Sequence, residues 1–171
     1  MSKYIPDMYK KNIYEIDYDK LKKMGKKYLF FDLDNTLISY LEKKPTKENI
    51  ELFKKLDDMG FKCFIFSNSH VERLKPFKEK LNIEVFTGSM KPLKKNYKKV
   101  LNRFDKDKCV FIGDQIMTDV IGAKRNDLFV IFLDRINDSE PIYTRFWRFF
   151  ERFIIKKYEK EEKFKKGKYY D

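Results

Sequence analysis

Acidic side chains follow two apolar runs of the chain in a pattern suited to metal-assisted chemistry. Asp32 and Asp34 come at the end of the run Tyr28–Leu33, and Asp114 comes shortly after Cys109–Ile112. Three carboxylates brought together in a partly dry cleft repel one another, so they require a cation. All-oxygen ligation by a few carboxylates and retained water suits Mg²⁺. With that cation bound, one carboxylate can stay ionised as a nucleophile while its neighbour holds or passes a proton.

Residues that suit a phosphoryl group follow in order along the chain. Ser67 and Asn68 end the second apolar run, and their side chains can donate hydrogen bonds to phosphoryl oxygens. Lys91 opens a helix-like stretch after the third run, and its ammonium group can neutralise phosphate. Asp119 follows Asp114 by about one helical turn, so it can orient either the metal shell or Lys91.

The elements that must position these residues are short apolar runs alternating with amphipathic stretches. This alternation predicts a parallel sheet covered by helices on both faces, and we expect about five strands in a three-layer, Rossmann-like α/β core. Ligands of such sheets bind beyond the carboxyl ends of the strands, which is where all the candidates fall. The predicted strands are 28–33, 61–66, 83–86, 109–112 and 128–133, and the predicted helices cover about 46–58, 70–81, 93–104 and 117–125.

Length and composition restrict the class of protein. The chain has 171 residues, of which 42% are hydrophobic and 17% aromatic, which fits one ordinary domain and excludes a disordered chain. No apolar run approaches the ~20 residues of a membrane-spanning helix. No signal peptide is recognisable, so the expected location is the cytoplasm. Cys63 and Cys109 lie in apolar runs and are predicted to be buried thiols.

The net charge of +12 is unevenly distributed. Segments 31–69 and 109–141, which hold the acidic candidates, carry a small negative excess, and the remaining segments are basic. This segregation indicates an acidic site in a basic surround that favours anionic ligands. A lysine-biased composition would give the same excess, because 32 of the 39 basic residues are Lys.

Together, these residues resemble the motifs of the haloacid dehalogenase superfamily of phosphatases. The stretch Phe31–Leu37 is similar to the first motif, DxDxT, and Gly113–Asp119 is similar to the fourth, GDxxxTD. Ser67 and Lys91 match the second and third motifs. The four motifs occur in the order that the family has.

The resemblance implies a role for each candidate. Asp32 would be the nucleophile that becomes an aspartyl-phosphate, and Asp34 the general acid and then the base. Mg²⁺ would be held by Asp32, the backbone carbonyl of Asp34, and Asp114. Ser67, Asn68 and Lys91 would bind the phosphoryl group, and Asp119 would support the metal or Lys91.

The spacing between motifs leaves no room for a cap domain. Asp34 and Ser67 are 33 positions apart, and Ser67 and Lys91 are 24 apart. The chain therefore resembles the capless subclass IIIA, whose open sites admit large or surface-bound substrates. The flanking stretches Tyr4–Asp17 and Glu140–Arg152 resemble the YqeG-like phosphatases, which are similar to the phosphatidylglycerophosphate phosphatases of mitochondria and plastids. We expect a single capless domain over 1–171, with a core at about 28–135, an N-terminal segment at 1–27, and a basic aromatic helix and tail at about 142–171.

The C-terminal segment has two interpretations. Its aromatic residues recur at helical spacing with basic residues between them, so the helix could pack on the core or lie in an anionic bilayer interface. We expect packing for 143–150 and a solvated tail for 156–171. The aromatic and apolar positions are Tyr143, Phe146, Trp147, Phe150, Phe153, Ile154 and Tyr158.

The resemblance favours Mg²⁺-dependent hydrolysis of a phosphomonoester, with phosphatidylglycerophosphate at the inner face of the membrane as the expected substrate. A soluble nucleotide, a sugar phosphate or a nucleic-acid terminal phosphate is an alternative substrate. An alternative of another class is a basic module that binds RNA or the ribosome and has an idle site. The clustered acids argue against that class, because an idle site has no reason to keep them.

Overall fold

A parallel sheet with helices on both faces forms the centre of the protein, as the sequence predicts. The computed structural model describes residues 5–139, 142–161 and 164–171, without the side chains of Ile142, Tyr143 and Arg145. Tyr4, Glu140 and Pro141, which belong to the stretches quoted for the family resemblance, lie outside the described residues.

The elements agree with the predicted ones to within a few residues at most boundaries. The strands are β1 (Met8–Lys10), β2 (Tyr28–Phe31), β3 (Lys62–Phe66), β4 (Glu84–Phe86), β5 (Cys109–Gly113) and β6 (Phe129–Leu133). The helices are α1 (Tyr18–Lys23), α2 (Lys47–Asp58), α3 (Val71–Leu81), α4 (Lys94–Leu101), α5 (Ile121–Lys124) and α6 (Ile142–Lys160). One turn of π-helix, Ile116–Val120, leads into α5. Because α4 begins at Lys94, Lys91 lies in the loop before it and does not open the helix.

Helix α2 shows how local sequence sets an element that flanks the site. The Thr46 hydroxyl accepts a hydrogen bond from the Asn49 N–H at 3.2 Å, and the Asn49 side chain accepts one from the Thr46 N–H at 3.0 Å. This reciprocal capping satisfies two backbone donors at the helix start. The apolar side chains of Leu52, Phe53 and Leu56 are then buried on one face of α2.

The sheet separates two apolar layers. Leu29 and Phe31 of β2 belong to the layer under α1, α2 and α3, whereas Phe30 belongs to the layer under α4, α5 and α6. Phe30 stacks between Phe64 and Phe111, at ring-centroid distances of 4.8 and 4.7 Å. Side chains alternate along a strand, so the residue two positions after Phe30 is directed to the same side as that ring. That residue is Asp32.

The strand order is β1-β6-β5-β2-β3-β4, and neighbouring strands among these six are parallel. The chain leaves β2 toward β3 on one side and reaches β5 on the other side only after β4 and α4. The carboxyl ends of β2 and β5 therefore flank the point where the strand order reverses, which is the usual ligand crevice of an open α/β sheet. The N–H of Asp32 donates to the carbonyl of Ile112 at 2.8 Å, so the two strands end level with each other.

The described part of the sheet has six strands where about five were expected. The additional strand is β1, which pairs with β6 through Met8 and Ile131. A strand of three residues is too short to show a recognisable pattern of apolar residues, so the sequence does not predict β1. Strand β1 is also completed from the far end of the chain, because Tyr9 and Tyr170 exchange backbone hydrogen bonds of 2.9 and 3.0 Å in an antiparallel bridge.

The inner face of α6 is polar over its first half. Thr144, Arg148 and Glu151 are buried, and Tyr158 continues the same face about two turns later. The expectation that 156–171 forms a solvated tail is therefore wrong for Tyr158 and Phe164, which are buried. Both pack in the apolar layer that also contains Tyr9.

The outer face of α6 is aromatic, which corrects the expectation of packing over 143–150 for the rings of Phe146 and Phe150. Phe146, Phe149 and Phe153 are 60%, 55% and 59% exposed, and Phe150 is also exposed. The rings contact one another, with Phe149 and Phe153 at 5.1 Å and Phe146 and Phe150 at 5.1 Å between centroids. We call Phe146, Phe149, Phe150 and Phe153 the aromatic face. It stays outside because the buried polar side chains fix the rotation of the helix.

Two further sequence expectations can be compared with the structure. Among the described helices, none has a stretch long and apolar enough to cross a membrane. Cys109 is buried and Cys63 is partly buried, and both thiols are free. Burial raises the pKa of each thiol to about 12, as expected for unreactive cysteines.

Candidate active site

The predicted site residues lie together at the carboxyl ends of β2, β3 and β5. Asp32, Asp34, Ser67, Asn68 and Lys91 line one pocket at this edge of the sheet. Asp114 and Asp119 lie next to them, because their carboxylate oxygens are within 4.8 Å of a carboxylate oxygen of Asp32. Residues from four separate segments of the chain therefore meet in one place.

Lys91 is the centre of this arrangement. Its ammonium group donates to Asp32 Oδ1 at 2.5 Å and to Asp119 Oδ1 at 2.6 Å, and all three side chains are nearly inaccessible to water. Although burial alone lowers the pKa of Lys91, the carboxylates of Asp119 and Asp32 raise it above its ordinary value. Lys91 is therefore a fixed positive charge in the site.

Asn68 holds the backbone that carries Lys91. Its side-chain oxygen accepts from the Lys91 N–H at 2.7 Å, and its amide donates to the Lys91 carbonyl at 3.3 Å. The neighbouring Ser67 hydroxyl accepts from the Ser69 N–H at 3.1 Å, which leaves its own hydrogen available to donate. Both side chains line the pocket, but Asn68 has a positioning contact that the sequence did not suggest.

Asp34 is held by two residues that sequence reasoning missed. Ser69 donates to Oδ2 at 2.7 Å, and Arg73 donates to Oδ1 from Nε at 3.2 Å and from Nη2 at 2.7 Å. Arg73 lies in the first turn of α3 and also contacts the Tyr40 carbonyl at 3.1 Å. The only sequence signal for Arg73 is its position shortly after the Ser67 motif.

Both carboxylate oxygens of Asp114 accept hydrogen bonds from other side chains. Thr36, the threonine of the first motif, donates to Oδ1 at 3.0 Å. Arg148 of α6 donates to Oδ2 and also to the backbone carbonyl of Asp114, the latter at 2.7 Å. Burial raises the pKa of Asp114, and Arg148 opposes this rise. Arg148 and Glu151 were noted in the sequence only for their resemblance to the tail of the YqeG-like phosphatases.

Position 113 has no room for a side chain, so it requires glycine. A Cβ atom at this position would lie 2.4 Å from the carboxyl carbon of Asp119. That carboxylate is not free to move away, because Oδ1 is bonded to Lys91 and Oδ2 accepts from the Gln115 N–H at 3.1 Å. The glycine of the fourth motif therefore lets the carboxylate of Asp119 lie against the end of β5.

The donor set fits a divalent cation. Asp32, Asp114 and Asp119 place carboxylate oxygens within 4.8 Å of one another, and hard oxygen donors suit Mg²⁺. Burial raises the pKa of Asp32 well above its ordinary value, with Lys91 opposing and the other acids adding to the rise. Ionised, the four acids Asp32, Asp114, Asp119 and Glu151 exceed the two cations Lys91 and Arg148 by two negative charges. A divalent cation balances that excess.

Comparison with known proteins places the chain in a family. The model of the haloacid dehalogenase-like hydrolases matches residues 7–127. The chain belongs to the haloacid dehalogenase-like hydrolase family. The expectation of an enzyme of this family, a phosphatase, is thereby confirmed.

Two curated relatives are similar over most of this chain. The probable phosphatase YqeG of Bacillus subtilis is 36% identical over 154 residues, which cover 89% of this chain and 90% of the relative. Phosphatidylglycerophosphate phosphatase 1 of Arabidopsis thaliana, chloroplastic and mitochondrial, is 26% identical over 168 residues, which cover 90% of this chain and 48% of the relative.

Solved structures share the fold. An uncharacterized protein from Listeria monocytogenes serotype 4b aligns with a TM-score of 0.53 and 22% identity over 67% of this chain and 84% of that one. A predicted haloacid dehalogenase-like hydrolase from Porphyromonas gingivalis aligns with a TM-score of 0.54 and 12% identity over 72% of this chain and 98% of that one.

We predict that Lys91→Met destabilises the metal-free protein by roughly 3–5 kcal/mol, because it leaves buried carboxylates without their cation. Added Mg²⁺ should restore part of this loss, since a ligand that binds only the folded state stabilises it. Urea unfolding with EDTA and with excess Mg²⁺ measures both effects. Lys94→Met, which changes an exposed lysine at the start of α4, should leave the midpoint unchanged. A Lys91→Met protein as stable as the parent in EDTA would contradict the importance of this buried charge.

Proposed function

We propose that this protein hydrolyses phosphomonoesters through a phosphorylated Asp32, with Asp34 as the proton donor and acceptor. The observation that carries the proposal is the contact of Lys91 with both Asp32 and Asp119 in the pocket that Ser67 also lines. A nucleophilic carboxylate, a fixed cation and a hydroxyl donor are thus present within one pocket, which is what phosphoryl transfer requires.

The first half-reaction begins with attack of an Asp32 carboxylate oxygen on phosphorus. The bond from phosphorus to the leaving-group oxygen breaks, and Asp34 gives its proton to that oxygen. Lys91 and the Ser67 hydroxyl offset the negative charge on the phosphoryl oxygens. The product alcohol leaves, and the phosphoryl group remains on Asp32 as an acyl phosphate.

The second half-reaction returns the enzyme to its starting state. Asp34 takes a proton from a water molecule, the water oxygen attacks phosphorus, and the bond to the Asp32 oxygen breaks. Inorganic phosphate leaves, while Asp32 is again a carboxylate and Asp34 is again protonated. Arg73 and Ser69 orient the Asp34 carboxylate through both of its oxygens, so the proton is moved at a defined place.

Asp32, Asp114 and Asp119 would hold the metal, with the backbone carbonyl of Asp34 as the ligand that the family resemblance adds. When bound, Mg²⁺ neutralises the phosphoryl oxygens and lets Asp32 stay ionised despite its burial. Asp119 also fixes Lys91, so it serves the metal and the cation together.

For the substrate, we propose phosphatidylglycerophosphate at the inner face of the cytoplasmic membrane. Trp147 and Thr144 of α6 line the pocket beside Asp34, and the aromatic face lies on the same helix. A large exposed aromatic patch marks a docking surface, and exposed basic residues such as Arg152 and Lys156 on this helix favour anionic lipid. The similarity to the Arabidopsis phosphatase points to the same lipid.

Two other functions are outcomes of the tests below. Hydrolysis of a soluble phosphomonoester would use the same catalytic residues but would not need the aromatic face. An RNA-binding module would rely on the exposed lysines of α4, such as Lys95 and Lys99. That module has no use for an arginine or lysine contact on each of Asp32, Asp34 and Asp114.

We predict that Asp32→Asn lowers phosphate release by more than about 10³-fold, because the amide cannot act as the nucleophile. The variant should remain folded, as its near-isosteric amide can still contact Lys91. Phosphate release and the urea midpoint are measured together, with Asp58→Asn on the exposed surface of α2 as control. Acid-quenched parent enzyme should carry one phosphoryl group on the peptide that contains Asp32. Substantial activity of Asp32→Asn would exclude it as nucleophile.

The lipid substrate is tested with phosphatidylglycerophosphate in mixed vesicles against a panel of nucleotides, sugar phosphates and 5′-phosphorylated RNA. We expect the lipid to be the best substrate and activity to require Mg²⁺. Good turnover of a soluble compound without release from the lipid would overturn the lipid assignment. Steeply salt-dependent RNA binding without any hydrolysis would favour the binding module.

We predict that the double change Phe149→Ser/Phe153→Ser lowers activity on the vesicles at least 10-fold, because the rings can no longer enter the bilayer interface. Activity on para-nitrophenyl phosphate should stay within about 2-fold of the parent, since neither ring lines the pocket. Vesicle co-sedimentation gives an independent measurement of binding. Equal losses on both substrates, or no loss on vesicles, would argue against docking through the aromatic face.

A further inference from the structure

Helix α6 reaches the metal site from outside the region that the family model matches. That match ends at residue 127, whereas α6 begins at Ile142. Its residue Arg148 donates from Nη1 to the backbone carbonyl of Asp114 at 2.7 Å and from Nη2 to Asp114 Oδ2. The Arg148 side chain is only 10% exposed, and the side chain of Asp114 is completely buried. A buried two-pronged contact of this kind has a defined geometry.

Glu151 fixes Arg148 from the next turn of the helix. Glu151 Oε2 accepts from Arg148 Nη1 at 3.1 Å, and Oε1 accepts from the N–H of Ile116. Ile116 begins the π-helical turn that carries Asp119. The pair Arg148 and Glu151 therefore connects α6 to the segment that supplies two of the three clustered carboxylates, Asp114 and Asp119.

These contacts act on the orientation of Asp114. Thr36 donates to one carboxylate oxygen and Arg148 to the other, so each oxygen of Asp114 is held by its own partner. Hydrogen-bond partners that orient a metal ligand contribute about 10–100-fold to metal affinity. The opposing effect is electrostatic, because a cation beside the carboxylate reduces its attraction for metal. The two effects change metal affinity in opposite directions when Arg148 is removed.

We propose that Arg148, fixed by Glu151, is a positioning residue that presents Asp114 to the metal, so that α6 completes the metal site. This inference rests on the proposed function, in which Asp114 is a metal ligand. The acids retain a net negative charge with Arg148 in place, so a cation is still attracted to them. The proposal is that the loss of orientation outweighs the electrostatic gain when Arg148 is removed. The C-terminal helix is then part of the catalytic apparatus as well as the lipid-docking element.

The test is a direct Mg²⁺ titration by calorimetry, without substrate. The paired variant Arg148→Met/Glu151→Gln removes one positive and one negative charge, so the charge balance of the buried cluster is kept. We expect its dissociation constant for Mg²⁺ to rise about 10–100-fold. The KM for para-nitrophenyl phosphate at saturating Mg²⁺ should stay within about 3-fold, which a general loss of structure would not allow. Arg152→Met, an exposed arginine one turn further along α6, should bind Mg²⁺ as the parent does.

A second variant keeps the test decisive if the paired variant does not fold. Arg148→Lys retains the charge but cannot make the two-pronged contact, and we expect it to weaken Mg²⁺ binding at least about 5-fold. Folding is checked by the urea midpoint in EDTA. Parent-like or tighter Mg²⁺ binding in a folded Arg148 variant would overturn the positioning role alone. A parent protein that binds no Mg²⁺ would overturn the metal site of the proposed function, and this inference with it.

Discussion

Carboxylates converge at the ends of two neighbouring strands, and their mutual repulsion is the constraint around which the rest of the structure is arranged. Asp32 follows β2, and Asp114 follows β5, which is paired with β2 in register. In a buried, low-dielectric place this repulsion is large. Burial itself raises the pKa of both groups, and the neighbouring acids add to the rise. A fold that keeps such a group must supply cations from elsewhere in the chain.

Asp32, Asp34 and Asp114 each contact a different cation, and the three cations come from different parts of the chain. Lys91 in the loop before α4 contacts Asp32, Arg73 of α3 contacts Asp34, and Arg148 of α6 contacts Asp114. Helices α4 and α6 lie on one face of the sheet and α3 on the other, so the site draws on both layers. The same ion pairs therefore hold the helices against the site and offset the negative charge of the acids. The polar inner face of α6 follows from this, because its buried positions are used for Arg148 and Glu151.

The parts of this arrangement that could be predicted from sequence are those with short-range patterns. Strands β2 to β6 are apolar runs, and the acids after β2 and β5 follow from strand ends in a parallel sheet. Arg73 and Arg148 could not be assigned to their acids, because their partners lie 39 and 34 positions away and nothing local marks the pairing. The outward rings of α6 were misjudged for a related reason. Helical periodicity identifies an apolar stripe on α6. It does not show that the buried ion pairs of Arg148 and Glu151 turn the opposite side of the helix toward the core.

The antiparallel bridge between Tyr9 and Tyr170 has a consequence for the solution behaviour of the protein. Strand β1 is at the margin of the sheet, where unpaired backbone groups invite a strand from another molecule. Tyr170 occupies part of that margin through two backbone hydrogen bonds, and its hydroxyl also donates to the Pro6 carbonyl at 3.0 Å. The opposite margin, β4, is equally short, with three residues. The chain thus covers part of one of the two margins of the described sheet, where the strand of a neighbouring molecule could otherwise pair.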